Sequence, residues 1–510
     1  MAARGRAVPA RPARGGTARA RPGRRRADPA RRVAFDVLTA VAERDAYANL
    51  LLPALLAERG LTGRDAALAT ELTYGTLRGQ GSYDAILAIC SDRDPGRLDP
   101  PLRQVLRLGA HQLLATRIGA HAAVDTSVEL TKDVAGPRPA GFVNAVLRRV
   151  ATRDLESWLE IAAPSRADDP VGYLSVAYSH PRWIVSALSE ALAEDLAAGP
   201  AQTEASLAAD NERPRVTLCA VPGLADPAEL AAAGAEPARW SPFGAYLAEG
   251  DPARVPAVAQ GRASVQDEAS QLAALALARA KTAGSGPGAP GRRWLDLCAG
   301  PGGKARLLAG LAEGAGARLL AADVRLHRAQ LLQAQLRQAR LLRAGAGGDE
   351  AGGAEAAGAP AGGAAPAAVV AADGTVPAWP PGTFDRVLAD VPCSGLGALR
   401  RRPEARWRRS PEDVTALGPL QRALLAAALD SAAPGGVVAY VTCSPHVAET
   451  RDVVTDVLAG RDDVQVLDAP GTLPEVPGLR CPEPHGAFAQ FWPHRHGTDA
   501  IFLALLRRGG

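Results

Sequence analysis

Apolar residues near the start of the chain recur at helical spacing. Ala34, Val37, Leu38 and Val41 stand at i, i+3, i+4 and i+7, and Leu102, Val105, Leu106, Leu113 and Leu114 continue the theme. Such spacing paints one buried stripe on each helix. Breaks at Arg59-Gly60, Asp94-Pro95-Gly96 and Gly136-Pro137 separate the helices. The pattern predicts an all-helical domain over 31–155, without an acid–base cluster or glycine loop, and so a binding or scaffolding module. Over 165–285 the signal mixes. A helix around Trp183 to Ala198, a strand-like Arg215 to Val221 and the helical SVQDEASQLAALALA predict a small α+β connector. From Trp294 onward, short apolar strands alternate with helical segments: WLDLCA, ARLLAADV, AVVAAD, FDRVLADV and VVAYVTC. That alternation predicts a doubly wound parallel sheet filling 286–510.

Length agrees with several domains, since 510 residues suffice for two or three cores. Hydrophobic content is 47%, but no apolar run approaches the roughly 20 residues of a membrane helix. The N-terminus lacks the apolar core of a secretory signal, so a cytoplasmic location away from membranes is expected. Residues 1–30 carry nine arginines against Asp28, a local +8; the whole chain is +4, which leaves about −4 for the rest. Polyanion binding must then be local. The arm over 1–30 has no hydrophobic period and is expected to be disordered, with a composition suited to phosphate. Ala344 to Ala367 is Gly/Ala-rich and reads as a surface-loop insertion, and Thr282 to Gly291 as a break between domains. Six cysteines occur without a C-x-x-C pair or a His cluster, so neither a disulfide scaffold nor a bound metal is expected.

Candidate chemistry gathers after the break. LDLCAGPGGKA (Leu295 to Ala305) runs strand, glycine turn, helix, with Gly300, Gly302 and Gly303 allowing close approach to a helix N-terminus. Asp296, Asp323 and Asp373 each end one of the first three strands, where a carboxylate can accept from ribose hydroxyls or meet an adenine edge. No Ser or Thr follows Lys304 as in a triphosphate loop, so an adenosine-carrying cofactor is expected, with NAD as the alternative. The fourth strand ends in ADVPCSG and the fifth in YVTCSP, which brings Cys393 and Cys443 to the carboxyl edge of the sheet. Two thiols at one site suit methylation of an unreactive carbon such as cytosine C5, which becomes nucleophilic only after a thiolate adds to C6. Asp390 can hold or donate a proton at cytosine N3. LRRRPEARWRRS (Leu399 to Ser410) follows at once, and Arg400, Arg401, Arg402, Arg406, Trp407 and Arg408 are candidates for phosphate and base contacts with RNA.

DLCAGPGGK, DVPCSG and VTCSPHVAET resemble the motifs of the RNA cytosine-C5 methyltransferases. Over almost the whole chain the arrangement is similar to the RsmB (Sun, Fmu) branch, with AGFVNAVLRRV like the end of a NusB-like domain. The resemblance implies a NusB-like RNA-binding helical domain, a connector and a class I, Rossmann-like, S-adenosylmethionine-dependent methyltransferase domain. It also implies that Cys443 attacks the base, Cys393 assists product release, and Asp390 touches base and cofactor. Cys298, Ala299, Gly300, Pro301, Gly302, Gly303 and Lys304, with Asp323, Asp373 and Asp390, would hold S-adenosylmethionine. The implied substrate is one cytidine of small-subunit ribosomal RNA. Gly300 stands where Ala is common in the family, and Thr498-Asp499-Ala500-Ile501-Phe502 departs from a GTDGFF-like ending. Three readings compete: a non-catalytic RNA-binding or antitermination-type assembly factor, a methyltransferase acting on tRNA, and a DNA cytosine methyltransferase using the PC cysteine.

Overall fold

The computed structural model describes residues 27–196, 199, 201–248, 250–283, 292–346 and 367–509. The arginine-rich arm up to residue 26, most of the Thr282 to Gly291 break and residues 347–366 of the Gly/Ala insertion lie outside them.

Seven α-helices come first among the described residues: α1 (Pro29–Arg44), α2 (Ala48–Glu58), α3 (Gly63–Arg78), α4 (Gln80–Ser91), α5 (Pro100–Ala115), α6 (Ala120–Val134) and α7 (Ala140–Val150). Asp28 caps α1 by accepting from the Arg31 N–H, with Pro29 in the first turn, where its missing N–H costs nothing. The stripe read from the sequence, Ala34, Val37, Leu38 and Val41, is buried, and meets Leu102, Val105 and Leu106 of α5 in one core. Four more helices, α8 (Leu155–Ala162), α9 (Pro170–Ala177), α10 (Arg182–Leu192) and α11 (Ala201–Asn211), lead out of this domain. The helix expected to reach Ala198 stops at Leu192, because Ala193 takes a left-handed backbone at φ 55° and turns the chain.

The connector is a four-stranded antiparallel sheet, β1 (Val216–Ala220), β2 (Ala235–Pro237), β3 (Gly244–Leu247) and β4 (Ala263–Val265), in the order β2-β3-β1-β4. Two short helices, α12 (Pro227–Ala232) and α13 (Pro256–Ala259), flank it, and α14 (Glu268–Arg279) follows. Leu272 and Leu277 of α14 and Cys219 of β1 share a core with the large sheet beyond, so the connector packs as part of the body built on that sheet.

That large sheet runs β5 (Arg293–Asp296), α15 (Gly303–Gly314), β6 (Arg318–Asp323), α16 (Leu326–Ala346), β7 (Ala367–Ala371) and β8 (Phe384–Asp390). It continues through α17 (Ala405–Arg408), α18 (Pro411–Ser431), β9 (Ala432–Thr442), α19 (Arg451–Leu458), β10 (Val464–Leu467), β11 (Ala489–Gln490), α20 (Pro493–His496) and β12 (Phe502–Arg508). The order is β10-β12-β9-β8-β5-β6-β7, with β11 beside β12. The five predicted strands are present and mutually parallel. The predicted parallel strands are joined by an antiparallel edge that the sequence reading did not include. β12 pairs antiparallel with β9, and β10 with β12, so β12 is inserted against the direction of its neighbours at that edge. One face packs on α14, α15 and α16 and the other on α18 and α19, giving three layers of Rossmann-like form. The order reverses at β5, where β6 lies on one side and β8 on the other, and ligands of such sheets bind outside the strand ends at that point. Among the described residues no helix is long and apolar enough to cross a membrane, and no group of three or more His, Cys, Asp or Glu is placed to hold a metal.

Candidate active site at the sheet switch point

The glycine loop spans the switch point. The Leu297 N–H donates to Leu388 O of β8 at 2.9 Å and the Ala299 N–H to Ala322 O of β6 at 2.8 Å, so the loop hangs between the two neighbours of β5. Gly302 caps α15 at φ 102° with no side-chain oxygen on the first-turn N–H groups, which leaves those donors open. A Cβ on Gly302 would lie 2.7 Å from a methyl of Leu332, so both conformation and space demand glycine there.

Carboxylates ring this loop. Asp323 accepts from the N–H groups of Gly300 at 2.9 Å and Arg325 at 2.8 Å, shaping the loop as well as facing it. Asp373 lies two residues past β7, exposed, and accepts from the Thr375 N–H and hydroxyl. Asp390 at the end of β8 accepts from Lys304 Nζ at 2.8 Å. Burial works against the Lys304 ammonium, yet Asp390 holds its pKa above the ordinary lysine value. Asp296 is buried with neither carboxylate oxygen hydrogen-bonded, and burial followed by the Asp390 charge pushes it up to about 8. Burial, then the surrounding acids, raises the Cys298 thiol and keeps it neutral. An open helix N-terminus suits a carboxylate and the surrounding acids suit hydroxyls and positive charge, and S-adenosylmethionine carries all three.

Cys393 and Cys443 meet beside this loop, their Sγ atoms 3.2 Å apart and half-buried. The pair is electrically unequal. The hydrogen bond from Cys393 lowers the Cys443 pKa; burial and Asp390 oppose the fall, and Lys304 assists it. The same bond raises Cys393 well above the ordinary thiol value, helped by burial and then by the Cys443 and Glu449 charges. The pair is thus biased toward negative charge on Cys443 and a neutral thiol on Cys393.

The two loops are locked together from below. Glu449, fully buried, accepts from the Ser394 N–H at 2.7 Å, the Ser394 hydroxyl at 2.5 Å and Gln421 Nε2 at 3.1 Å. The Ser394 and Ser444 hydroxyls lie 3.2 Å apart, and Gln421 also donates to Pro392 O at 2.9 Å. Gly397 joins a third segment: its N–H donates to Cys443 O and its carbonyl accepts from the Ala500 N–H, both at 2.9 Å. A Cβ there would lie 1.9 Å from Ala500 O. Asp499 pairs with Arg401, and its N–H donates to Asp267 at 3.1 Å, so the departing C-terminal ending braces the site. Neither Glu449 nor Gly397 was singled out in the sequence. Their one trace was position, six residues after Cys443 and four after Cys393.

The arginine segment requires the main correction. Arg406 is fully buried, with its guanidinium donating to the carbonyls of Arg78, Ser179 and Asp210 and to Asn211 Oδ1, and burial lowers its pKa to about 10. It cannot reach RNA phosphate, because four protein acceptors enclose it. Arg400 is buried and donates to Gly497 O, Arg401 is taken by Asp499, and Arg408 donates to the carbonyls of Val41 and Ala46. Glu404 accepts from the Ala48 N–H at 3.3 Å. The segment is thus mainly a clasp between helical domain and catalytic body. Arg402, over the Tyr47 ring, and Trp407 remain exposed.

A family model described as 16S rRNA methyltransferase RsmB/F matches residues 363–507, and the NusB family model matches residues 28–152. A Mycobacterium tuberculosis protein named as a methyltransferase is 50% identical over 489 residues, spanning 96% of this chain and 98% of its own. Ribosomal RNA small subunit methyltransferase B of Pseudomonas putida is 34% identical over 486 residues, 93% of this chain and 98% of its own. The solved structure of PH0851 superposes with a TM-score of 0.70 over 94% of this chain and 99% of that one, at 20% identity, a likeness of fold.

Proposed function

The chain belongs to the RsmB/F family of S-adenosylmethionine-dependent ribosomal RNA methyltransferases, and from that premise we propose that it methylates C5 of a cytidine in small-subunit ribosomal RNA through a covalent bond from Cys443. The observation that carries this reading is the polarised thiol pair, 3.2 Å apart at the carboxyl edge of the sheet. A hydride-transfer site has no use for two thiols, one of them biased toward thiolate.

The open N–H groups of α15 and the carboxylates of Asp323, Asp373 and Asp390 would hold the cofactor beside the thiols. Bound there, it supplies an electrophilic methyl group. The Cys443 thiolate forms a bond to C6 of the base, and the electron pair of the C5–C6 double bond moves toward C5, which takes the methyl. Asp390, held by Lys304, stabilises the adduct by holding a proton at N3. Loss of the C5 proton to a base restores the double bond and breaks the C6–S bond. Cys393, a neutral thiol within hydrogen-bond reach of the departing sulfur, assists that release. The base must be unpaired or flipped to expose C5 and C6, at a cost of a few kcal/mol.

The test is methyl transfer from labelled cofactor to unmodified small-subunit rRNA transcript and, separately, to bulk tRNA, followed by nucleoside analysis. The reading expects 5-methylcytidine in the ribosomal transcript alone. Label at another atom, or in tRNA, overturns the assignment, and no label with either RNA favours a binding factor.

A further inference from the structure

A cavity of about 440 Å³ opens between the helical domain and the clasp, outside the thiol site. Leu38 and Val41 of α1 form an apolar wall, and Arg103, Gln104, Glu404 and Trp407 a polar one. The volume falls within the range of small-ligand pockets and accommodates one nucleotide.

The cations here are not equivalent. Arg107 is held by both oxygens of Asp84, and Arg408 by two carbonyls with Asp45 3.8 Å away. Arg103 lines the same cavity, half-buried, with no side-chain hydrogen bond or ion pair among the described residues. A partly buried guanidinium with no ion pair suits an incoming anion, above all one able to take two N–H groups at once, as a phosphate does. Gln104 and Glu404 are both buried, and each keeps a polar atom unpartnered, Nε2 of the amide and Oε2 of the carboxylate. One open donor and one open acceptor complement the edge of a nucleobase, whereas a purely phosphate-binding patch has no use for a carboxylate.

Trp407 adds an aromatic surface, 37% exposed. Its position is fixed because a Cβ on Gly81 would lie 2.6 Å from the ring, so only glycine lets the indole lie against α4. Two residues on, Arg409 Nε donates to Ser394 O at 3.1 Å, which ties this wall to the residue after Cys393.

We propose that this cavity is a subsite for one nucleotide flanking the target in the RNA substrate, with Arg103 on a phosphate, Trp407 against the base and Gln104 and Glu404 at its edge. The proposal rests on the RNA methyltransferase reading for the identity of the ligand. It assigns the helical domain a direct share in placing the strand, through a pocket that exists only where that domain meets the catalytic body.

The test uses the full-length chain and unmodified small-subunit rRNA transcript carrying 4-thiouridine, with binding and photocrosslinking as readouts separate from methylation. Arg103→Gln removes one charge from the cavity, and Arg97→Gln removes one from an 88% exposed side chain of the same domain. The expected result is affinity weakened about tenfold by Arg103→Gln, little change with Arg97→Gln, and loss of crosslinks to the Trp407 peptide in Trp407→Leu. Arg103 has no folded-state partner to lose, so thermal melts of Arg103→Gln should match the parent and keep the test valid if Trp407→Leu unfolds. Equal weakening by both arginine variants, or none by Arg103→Gln, overturns the subsite. A transcript that binds in the expected pattern but is never methylated leaves the subsite standing and removes the enzymatic reading instead.

Discussion

The Cys393 and Cys443 loops look alike in sequence: each leaves a parallel strand, each places Ser after Cys, and each presents a half-buried thiol to the same space. Their electrostatic settings are opposite. The shared hydrogen bond lowers Cys443 and raises Cys393; burial opposes charge on both, Asp390 opposes and Lys304 favours it on Cys443, and Glu449 adds to the rise at Cys393. The inequality therefore arises first from the contact between the two thiols and only secondarily from the charges behind each loop. Local sequence names a pair of thiols; the hydrogen bond across 3.2 Å makes them unequal, as the proposed roles of attacker and helper require.

The comparison breaks most visibly in catalysis. Cys443→Ser should cut single-turnover methyl transfer on the order of 10³-fold or more, whereas Cys393→Ala should still form the bond to C6 and fail at release. Similar residual turnover in both variants would remove the distinction. Next in size is the brace beneath the loops. Glu449→Ala leaves the Ser394 and Gln421 donors open and should cost roughly 1–3 kcal/mol for each, read by denaturant unfolding. Glu449→Gln, which keeps an acceptor, should lose much less.

Ionisation sharpens the contrast further. The pKa of Cys443 is lowered, so its alkylation rate should rise with pH through a midpoint below the ordinary thiol value, while Cys393 stays unreactive across that range. Cys393→Ala removes the donated hydrogen bond and Lys304→Met the cation, and each should move the Cys443 midpoint upward. A midpoint unchanged in both would mean that the field described here does not act.

A separate effect concerns the floor of the site. Asp296 is raised to about 8, so the folded chain retains a proton that the unfolded chain releases near pH 4. Stability without cofactor should then fall as pH rises through that window, by up to about 1.4 kcal/mol per unit. Asp296→Asn cannot titrate and should melt above the parent at pH 9, with the difference vanishing near pH 4.

The five parallel strands were legible because each is a short apolar run closed by a turn, and both thiols because strand ends face ligands. The antiparallel β12 escaped, since FLALLRR carries no turn signal that reveals its direction. Glu449 escaped for a different reason: a lone acid in a polar stretch looks solvated, and only the tertiary fold buries it against Ser394. Arg406 misled in the opposite sense. Charge is visible in sequence and burial is not, so a run of six arginines suggested an RNA surface where the fold makes a clasp.

The polarity of the thiol pair is tested most directly by stalling the reaction. Cys393→Ala, incubated with S-adenosylmethionine and unmodified small-subunit rRNA transcript, then digested with nuclease and protease, should yield one peptide with a methylated cytidine on Cys443. A nucleotide on any other residue, or release of free 5-methylcytidine in RNA at the parent rate with no peptide adduct, would contradict the assignment of the two cysteines.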